Sequence, residues 1–335
     1  MKKSLCCICA LMMFVISGCG NSKSKEDIKI GVSLGVGEAT RWVAEKQYME
    51  EEAKKLGIQL EVRLNKTDKP KTQTEDCYEM IDNGIDVLLL TPRDVNHVDD
   101  IIKYAKKNDV KIISYARVVL GKEVDLFVGY DSTRIGLMMG QYLAEMVYKG
   151  DYIILRGDEG DNNATLLYEG AMRGIKPIKD DINILLDAPV LGWSVDEAKA
   201  MVKQAVAANN NHVDAILAPN DKLAGACREA LLELGVTDPV VITGMDAELD
   251  GAKRIAADTQ NMTVYMDLKE LATTAVKEAY HMAMGEKVNV NTQFDNQTKN
   301  GIDANLINGK IVTKQNLDKL LIESGVYTKS DVYGN

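Results

Sequence analysis

The chain alternates short apolar runs rich in β-branched residues with longer stretches whose apolar positions recur at helical spacing. Gly57 and Gly84 close two of these helical stretches, 40–56 and 71–83, where a helix C-terminus favours a left-handed residue. Strands that alternate with helices at this spacing predict βαβ units and a parallel sheet. The apolar runs of the first half begin near Ile28, Gln59, Asp86, Val110 and Leu126.

The same pattern then restarts, so we predict two similar α/β halves over about 28–130 and 131–264. Helical patterns over 194–209 and 222–234 separate the strands of the second half. After it we expect a long helix over 268–285, a short strand pair around 307–312 and a final helix. The apolar runs of this half begin near Tyr152, Ile182, Asp214 and Val240.

Composition narrows the function classes. The chain has 335 residues, which suits about two domains, and its 46% hydrophobic and 27% charged residues are ordinary for a globular protein. A net charge of −10 lacks the basic footprint of a nucleic-acid binder. The three histidines, His97, His212 and His281, lie far apart in the sequence, which disfavours a histidine-based metal site or catalytic triad.

The N-terminus resembles an export signal. Lys2 and Lys3 precede an apolar run over 5–16, which is too short to span a bilayer but suits a signal peptide. The segment 16–19, Ile-Ser-Gly-Cys, resembles the lipobox of bacterial lipoproteins, in which the signal is cut before the cysteine and a diacylglyceryl group is attached to its sulfur. We therefore expect a signal peptide over 1–18, a lipidated Cys19 that anchors the protein to the outside of the cell membrane, and a tether over 19–27. The alternative is an ordinary secretory signal with a chance cysteine.

The cysteines beyond this signal predict no disulfide framework. Only Cys77 and Cys227 remain after Cys19, and both lie inside helical patterns. Such a cysteine is most often a small buried hydrophobe, so the fold must depend on its core.

Polar and aromatic residues gather where the predicted strands end, which is where open parallel sheets bind ligands. Arg, Asp and Asn supply two-pronged hydrogen bonds, and Trp supplies a flat apolar face. Hydroxyls in the ring plane and apolar C–H faces give a monosaccharide this same dual character. The residues in question are Arg41, Trp42, Arg117, Asp161, Asn163, Trp193, Asn220 and Asp246.

Each of these residues also has a structural interpretation. Either tryptophan, Trp42 or Trp193, could belong to the core, and an Asp or Asn at a strand end is often a helix N-cap. The segment 160–163 could be only a cap and turn. Templates for dinucleotide, phosphate-loop, calcium and nucleophile sites fail, so we expect no cofactor and no metal.

Several short motifs resemble the periplasmic sugar-binding proteins of ABC importers, most specifically their D-xylose-binding members. The resemblance extends from about Lys29 to Tyr333. The motifs that carry it are Arg41-Trp42, Asp161-Asn162-Asn163-Ala164, Gly192-Trp193, Ala208 to Asn211, Pro219-Asn220-Asp221, Gly244-Met245-Asp246-Ala247, Lys253 to Ala257 and Met262-Thr263-Val264-Tyr265.

This resemblance implies the type I periplasmic binding protein fold, in which two Rossmann-like lobes with parallel sheets are joined by three hinge crossings. The crossings would lie near 129–132, 262–265 and 303–307. The N-terminal lobe would then comprise 28–130 and 265–302, and the C-terminal lobe 131–264 and 303–335.

The resemblance also assigns roles in the cleft between the lobes. Trp42 and Trp193 would stack on the sugar ring, and Asp161 would belong to the same sugar site. The implied hydroxyl ligands are Arg41, Arg117, Asn163, Asn220 and Asp246.

Two positions depart from the family pattern. The family has an acidic residue before the second arginine, where this chain has Ala116, and a lysine where this chain has Met266. An acid and a base are lost together, which suggests that they were partners. The departure bears on which sugar binds and how tightly.

The resemblance implies a lipid-anchored receptor that closes on a monosaccharide, D-xylose first, and presents it to an ABC permease. The alternative is a D-xylose co-receptor for the extracytoplasmic domain of a sensor histidine kinase. An enzyme would need a nucleophile or a carboxylate pair, and Asp161 and Asp246 already have a ligand role. A transcription regulator of this fold would need a basic DNA-binding head, and the chain has an export signal there instead.

Overall fold

A computed structural model describes residues 24–34, 40–64, 70–94 and 98–334 of the chain. The predicted signal peptide over 1–18 and the lipidated Cys19 lie outside the described residues. Of the predicted tether, Lys25–Asp27 form one exposed 3-10 turn.

The described residues form thirteen strands and ten α-helices. The strands are β1 Lys29–Leu34, β2 Gln59–Leu64, β3 Val87–Leu90, β4 Lys111–Tyr115, β5 Leu126–Tyr130, β6 Gly150–Arg156, β7 Ile182–Pro189, β8 Ala215–Leu217, β9 Val241–Ile242, β10 Met262–Tyr265, β11 Thr292–Phe294, β12 Ile302–Ile307 and β13 Lys310–Thr313. The helices are α1 Thr40–Leu56, α2 Pro70–Asp82, α3 Asp99–Lys107, α4 Ser132–Met146, α5 Asn162–Ile175, α6 Val195–Ala208, α7 Asp221–Glu233, α8 Leu249–Ala256, α9 Leu268–Ala283 and α10 Lys329–Tyr333.

Seven strands form the first sheet, in the order β11-β12-β5-β4-β3-β1-β2, and every neighbouring pair except β11–β12 is parallel. Alternate residues of β3 show how the sheet is covered. Val87 and Leu89 pack into the cluster that includes helices α1 and α9, whereas Leu88 and Leu90 pack with residues of α2 and α3. A strand buried on both faces needs an unbroken apolar run, which is why these strands were evident in the sequence. We call this sheet and its helices the N-lobe.

Four parallel strands form the second sheet, in the order β7-β6-β8-β9. Tyr152 and Ile154 of β6 face one apolar cluster with helices α4 and α5, while Ile153 and Leu155 face another with α6 and α7. We call this sheet and its helices the C-lobe. The fold class predicted from the sequence, α/β with parallel sheets, is therefore confirmed.

The chain passes between the lobes in three places. The first passage runs from β5 into α4 through Asp131, whose backbone N–H donates to Ile307 and whose side chain caps α4. The other two run side by side, because β10 and β13 pair as an antiparallel ribbon. After the passage through β10, helix α9 packs on α1 in the N-lobe.

The third passage differs from the prediction. We expected a crossing over 303–307 and a strand pair around 307–312, with everything from 303 onward in the C-lobe. Instead, β12 is a strand of the N-lobe sheet beside β5, and the chain turns at Asn308 and Gly309 before β13 pairs with β10. The two short strands have similar composition, so the sequence did not reveal that they belong to different sheets.

Helices α4 and α5 lie unusually close to each other. A Cβ atom added at Gly136 would overlap the backbone carbonyl of Leu167, and one at Gly170 would overlap that of Thr133. Gly140 and Gly174 face the partner helix's backbone in the same way. The four glycines let the two backbones touch, so α5 is fixed directly to the helix that follows the first passage.

Candidate functional site

The predicted site residues follow the carboxyl ends of strands in both sheets. Helix α1 carries Arg41 and Trp42, and Arg117 follows β4, all three in the N-lobe. The C-lobe contributes the rest from four strand ends. Those residues are Asp161, Asn163, Trp193, Asn220 and Asp246.

Arg41 is held by a buried carboxylate. Its Nε donates to Glu45 Oε1 over 2.7 Å, and the hydroxyl of Tyr115 donates to Glu45 Oε2 over 2.7 Å. Burial alone would lower the pKa of Arg41, but the attraction of Glu45 outweighs it and the pKa is raised. Both Glu45 oxygens are therefore occupied, and the two Nη groups of Arg41 have no acceptor among the described residues. The guanidinium is fixed in orientation with its outer edge open to a ligand.

The two tryptophans occupy different environments. Trp42 is 5% exposed and belongs to the core, with the Arg41 guanidinium 4.9 Å from its ring centroid. Trp193 is half-buried on the C-lobe, where its ring lies against Gly157 and packs on the apolar cluster of β6, α6 and α7. A side chain at Gly157 would occupy the space of this ring. Part of the Trp193 ring stays open to solvent, and the Trp42 ring packs against the Arg41 guanidinium.

Asp161 and Asn220 are helix N-caps, which was the structural alternative to a ligand role for an Asp or Asn at a strand end. Asp161 Oδ1 accepts from the Asn163 backbone N–H over 2.9 Å, and Asn220 Oδ1 accepts from that of Leu223 over 2.8 Å. Capping uses one oxygen of each side chain. Asp161 Oδ2 and the Nδ2 group of Asn220 make no hydrogen bond with the described residues, so both roles are compatible.

Asn163 reaches from the C-lobe to the N-lobe. Its Nδ2 donates to the backbone carbonyl of Ala116 over 3.5 Å, and its Oδ1 accepts from the Ser132 hydroxyl over 3.4 Å. Both hydrogen bonds are long, which suits a contact that exchanges readily for a ligand. Arg117, next to Ala116, is half-buried and its side chain makes no hydrogen bond or ion pair with the described residues.

Asp246, on the C-lobe, lies close enough to Arg41 of the N-lobe for the two charges to interact. Protein surrounds most of its half-buried carboxylate, and this desolvation raises its pKa to about 6. The positive charges of Arg41 and Lys222 oppose the rise, and Glu248 adds to it. An arginine and a carboxylate that face each other across a cleft can bind adjacent hydroxyls of one polar ligand.

A second carboxylate, Asp221, fixes the loop that carries Asp246. It accepts from Gln260 Nε2 over 2.7 Å, from Thr263 Oγ1 over 2.9 Å and from the Glu248 backbone over 2.8 Å. Its own backbone N–H donates to Met245. The side chain is almost completely buried, which raises its pKa to about 7.

Left-handed backbone marks the same region. Ala116, Trp193 and Asp246 have φ values of 59°, 55° and 93°, although none of them is glycine. The Arg117 backbone N–H donates to the Tyr115 carbonyl over 2.6 Å, so Ala116 is the centre of a three-residue turn. Non-glycine residues in this conformation are costly and concentrate at functional sites.

The sequence analysis missed three residues of this region: Glu45, Tyr115 and Tyr130. A signal existed for two of them. Glu45 follows Arg41 by four residues on one helix, and Tyr130 ends a predicted strand. Nothing in the sequence indicates that Tyr115 pairs with Glu45, because that contact joins residues far apart in the chain.

The two departures from the family pattern are both apolar and buried. Ala116 is 8% exposed and Met266 is 7% exposed, and both belong to the cluster that extends through the N-lobe to the hinge. A buried acid and a buried lysine would each need a partner there. Two apolar residues need none.

A groove of about 400 Å³ runs along the hinge beside this region. Asp246 lines it, together with Tyr265, Tyr327 and three lysines, Lys269, Lys310 and Lys319. The other predicted site residues do not line this groove.

Comparison with known proteins agrees with this architecture. A family model described as a periplasmic binding protein domain matches residues 30–287. The chain belongs to the type I periplasmic sugar-binding proteins.

Alignments with known relatives extend over nearly the whole length of the sugar-binding protein. It is 31% identical over 309 residues to the D-xylose-binding periplasmic protein of Escherichia coli (strain K12), covering 92% of this chain and 93% of that one. It is 30% identical over 315 residues to the corresponding protein of Haemophilus influenzae, covering 93% and 94%. A solved ABC transporter solute binding protein from Clostridium phytofermentans, with bound β-D-glucose, superposes with a TM-score of 0.81 at 25% identity, covering 91% of this chain and 99% of that one.

Members of this family are extracytoplasmic sugar-binding transport proteins rather than enzymes. The sugar-binding protein is thus a monosaccharide-binding component of the ABC transporter type. None of its described helices is long and apolar enough to cross a membrane.

Proposed function

We propose that the sugar-binding protein is a lipid-anchored receptor that binds D-xylose between its lobes and presents it to an ABC permease. Its relation to two D-xylose-binding proteins over nine-tenths of the chain suggests the sugar. The observation that carries the proposal is the fixed guanidinium of Arg41, whose charge acts on the Asp246 carboxylate of the opposite lobe.

Each group has a role that follows from its chemistry. Trp193 stacks on the apolar face of the ring, and the open edge of Arg41 donates to adjacent hydroxyls. Asp246, in its ionised form, accepts a hydrogen bond from a sugar hydroxyl. Arg117, Asp161, Asn163 and Asn220 supply further hydrogen bonds, using the atoms that capping and turn formation leave open.

Sugar binding then favours closure. The side chains proposed to bind the sugar come from both lobes, so they can all contact one sugar only when the lobes are closed. The permease would recognise the closed form. Cys19, once lipidated, would hold the receptor at the outer face of the cell membrane, and the protein itself would leave the sugar chemically unchanged.

Isothermal titration of residues 26–335 with D-xylose, L-arabinose, D-ribose, D-glucose and D-galactose tests the ligand. We expect the tightest binding for D-xylose, in the micromolar range or below. Glu248→Gln is the matched control for Asp246→Asn, because both remove a carboxylate of one loop but only Asp246 faces Arg41. Tighter binding of another sugar would reassign the ligand, and binding of none would refute the monosaccharide proposal.

The partner needs a separate experiment in cells. Photo-crosslinking from an exposed position beside the cleft, Leu191, should capture a permease subunit when D-xylose is present. Capture of a sensor histidine kinase instead would establish the co-receptor alternative. Mass spectrometry of the membrane form should find a diacylglyceryl group on Cys19, and a Cys19→Ser variant should be released from the membrane.

A further inference from the structure

Tyr130 carries a hydroxyl that the site leaves without a partner. The residue is 7% exposed, and its hydroxyl oxygen is buried with no hydrogen bond among the described residues. Burying an unpaired hydroxyl is unfavourable, and most buried polar side-chain atoms in proteins are paired. This hydroxyl therefore needs an explanation in terms of something that pairs with it.

The position of Tyr130 in the fold places its side chain beside the residues proposed to bind the sugar. Tyr130 is the last residue of β5, at the carboxyl edge of the N-lobe sheet and directly before the first passage. Because Tyr115 is paired in register with Val128, Tyr115 and Tyr130 lie on the same face of the sheet, beneath helix α1. Tyr130 is one step nearer the cleft than Tyr115.

The charges around Tyr130 point to the same place. Burial raises the pKa of its hydroxyl; the charge of Arg41 opposes the rise, and Glu45, Asp267 and Tyr265 add to it. Tyr130 is therefore a neutral phenol at any physiological pH, with a proton to donate. The nearby carboxylate Glu45 does not accept it: Glu45 is hydrogen-bonded to Arg41 and Tyr115, and no hydrogen bond joins it to the Tyr130 hydroxyl.

We propose that the Tyr130 hydroxyl is a sugar ligand: it donates a hydrogen bond to one hydroxyl of the bound monosaccharide. This assignment rests on the proposed sugar-binding function and adds a position that lies at the hinge itself. The bound sugar would then touch the strand that leads into the first passage between the lobes. The hydroxyl is unpaired when the lobes approach without sugar and paired when they close around it.

A pair of matched substitutions tests the assignment. Tyr115→Phe and Tyr130→Phe remove the same atom from the same face of the sheet, but of these two hydroxyls only that of Tyr115 is paired with a described residue. Without sugar, Tyr115→Phe should lower Tm by about 2–6 °C because Glu45 loses a partner, whereas Tyr130→Phe should leave Tm unchanged or raise it. With D-xylose, Tyr130→Phe should weaken binding by about 3- to 10-fold.

Monodeoxy derivatives of D-xylose identify the contact. We expect one derivative to bind wild type and Tyr130→Phe equally, because the hydrogen bond is already missing from that complex. Equal loss with every derivative would show that the substitution disturbs closure rather than a contact, and would overturn the assignment. So would wild-type affinity of Tyr130→Phe for D-xylose.

Failure of this assignment is distinguishable from failure of the proposed function. If the wild-type protein binds D-xylose and Tyr130→Phe binds it as well, only the assignment is wrong. If the wild-type protein binds none of the five monosaccharides, the proposed function is wrong and the assignment falls with it.

Discussion

The side-chain amide of Asn163 donates to the backbone carbonyl of Ala116 across the cleft, over 3.5 Å. Asn163 lies in the first turn of α5, and Ala116 is the centre of a tight left-handed turn after β4. The two predicted ligand segments of opposite lobes thus touch directly. A sugar hydroxyl that replaced this long hydrogen bond would keep the lobes connected through the ligand.

The two tryptophans should respond differently to removal. Trp193→Ala should lower D-xylose affinity by at least about 100-fold, because the sugar loses its stacking surface. Its Tm without sugar should fall by only about 2–4 °C, because the ring is half-buried. Titration calorimetry and thermal unfolding measure the two effects.

Trp42→Ala is the counterpart. The ring is buried in the core, so this variant should lose about 3–5 kcal/mol of folding free energy. A stable Trp42→Ala protein that no longer binds sugar would show instead that Trp42 acts mainly as a ligand. Normal sugar binding by Trp193→Ala would remove Trp193 from the site.

The positions of Ala116 and Met266 test whether an acid and a base were once partners. Met266→Lys alone should destabilise the protein by about 3 kcal/mol, because it buries an unpaired ammonium. Adding Ala116→Asp should recover at least half of that loss. Aspartate also tolerates the left-handed backbone at 116 better than alanine does.

Denaturant unfolding of the two single variants and the double variant gives the coupling energy. Met266→Leu is the control, since it changes shape without adding charge. Additive effects of the two substitutions would mean that the side chains do not meet.

Sugar affinity should depend on the protonation of Asp246. Its pKa is raised to about 6 by burial, and the bound sugar needs the ionised form as an acceptor. Affinity for D-xylose should therefore fall by about 10-fold between pH 7.5 and pH 5. Asp246→Asn should bind more weakly but with a flat pH profile. An equal pH dependence in both proteins would exclude Asp246 as its source.

The free energy of unfolding without sugar should increase as the pH falls, whereas the affinity for sugar decreases. The folded-state pKa values of Asp221 and Asp246, about 7 and about 6, lie above the unfolded value of 3.8. The folded state therefore binds more protons between these values, and stability rises as pH falls from about 7 toward 4. Replacing Asp221 with Asn should reduce this rise in a series of thermal melts.

Close packing of α4 and α5 makes a further prediction. Gly136→Ala places a Cβ against the Leu167 carbonyl and should lower Tm by several degrees, on the order of 5 °C. Gly225→Ala, in α7, is the matched control. Its Cβ would meet only the side-chain guanidinium of Arg254, at 3.1 Å and not a backbone atom, so the gain in helix propensity should offset a small shift and keep Tm close to wild type. Equal effects would mean that α4 and α5 can separate freely.

The sequence predicted the strands well because buried parallel strands require continuous apolar runs, as in Val87–Leu90. It predicted the helix Thr40–Leu56 for a similar reason, since a glycine closes a clear helical pattern. It failed at β12, where only pairing distinguishes a sheet strand from a crossing.

For the site, the sequence identified residues whose side-chain type alone indicates hydrogen bonding or stacking with a ligand. It did not identify groups that act through pairing over long distances in the chain. Tyr115 and Glu45 are 70 residues apart and meet at 2.7 Å, so only the fold shows that Arg41 is fixed. Ala116 shows the same limit, because its left-handed turn is a property of the backbone and not of alanine.

The glycine-packed pair α4 and α5 would transmit a hinge rotation at Asp131 to the far end of α4. Helix α4 has 15 residues and a length of about 22 Å, and it begins directly after Asp131, two residues after Tyr130. A rotation of about 10° at Asp131 would move its far end by about 4 Å. Tyr148, 72% exposed just beyond that end, is therefore a natural place for a fluorophore that converts sugar binding into an optical signal.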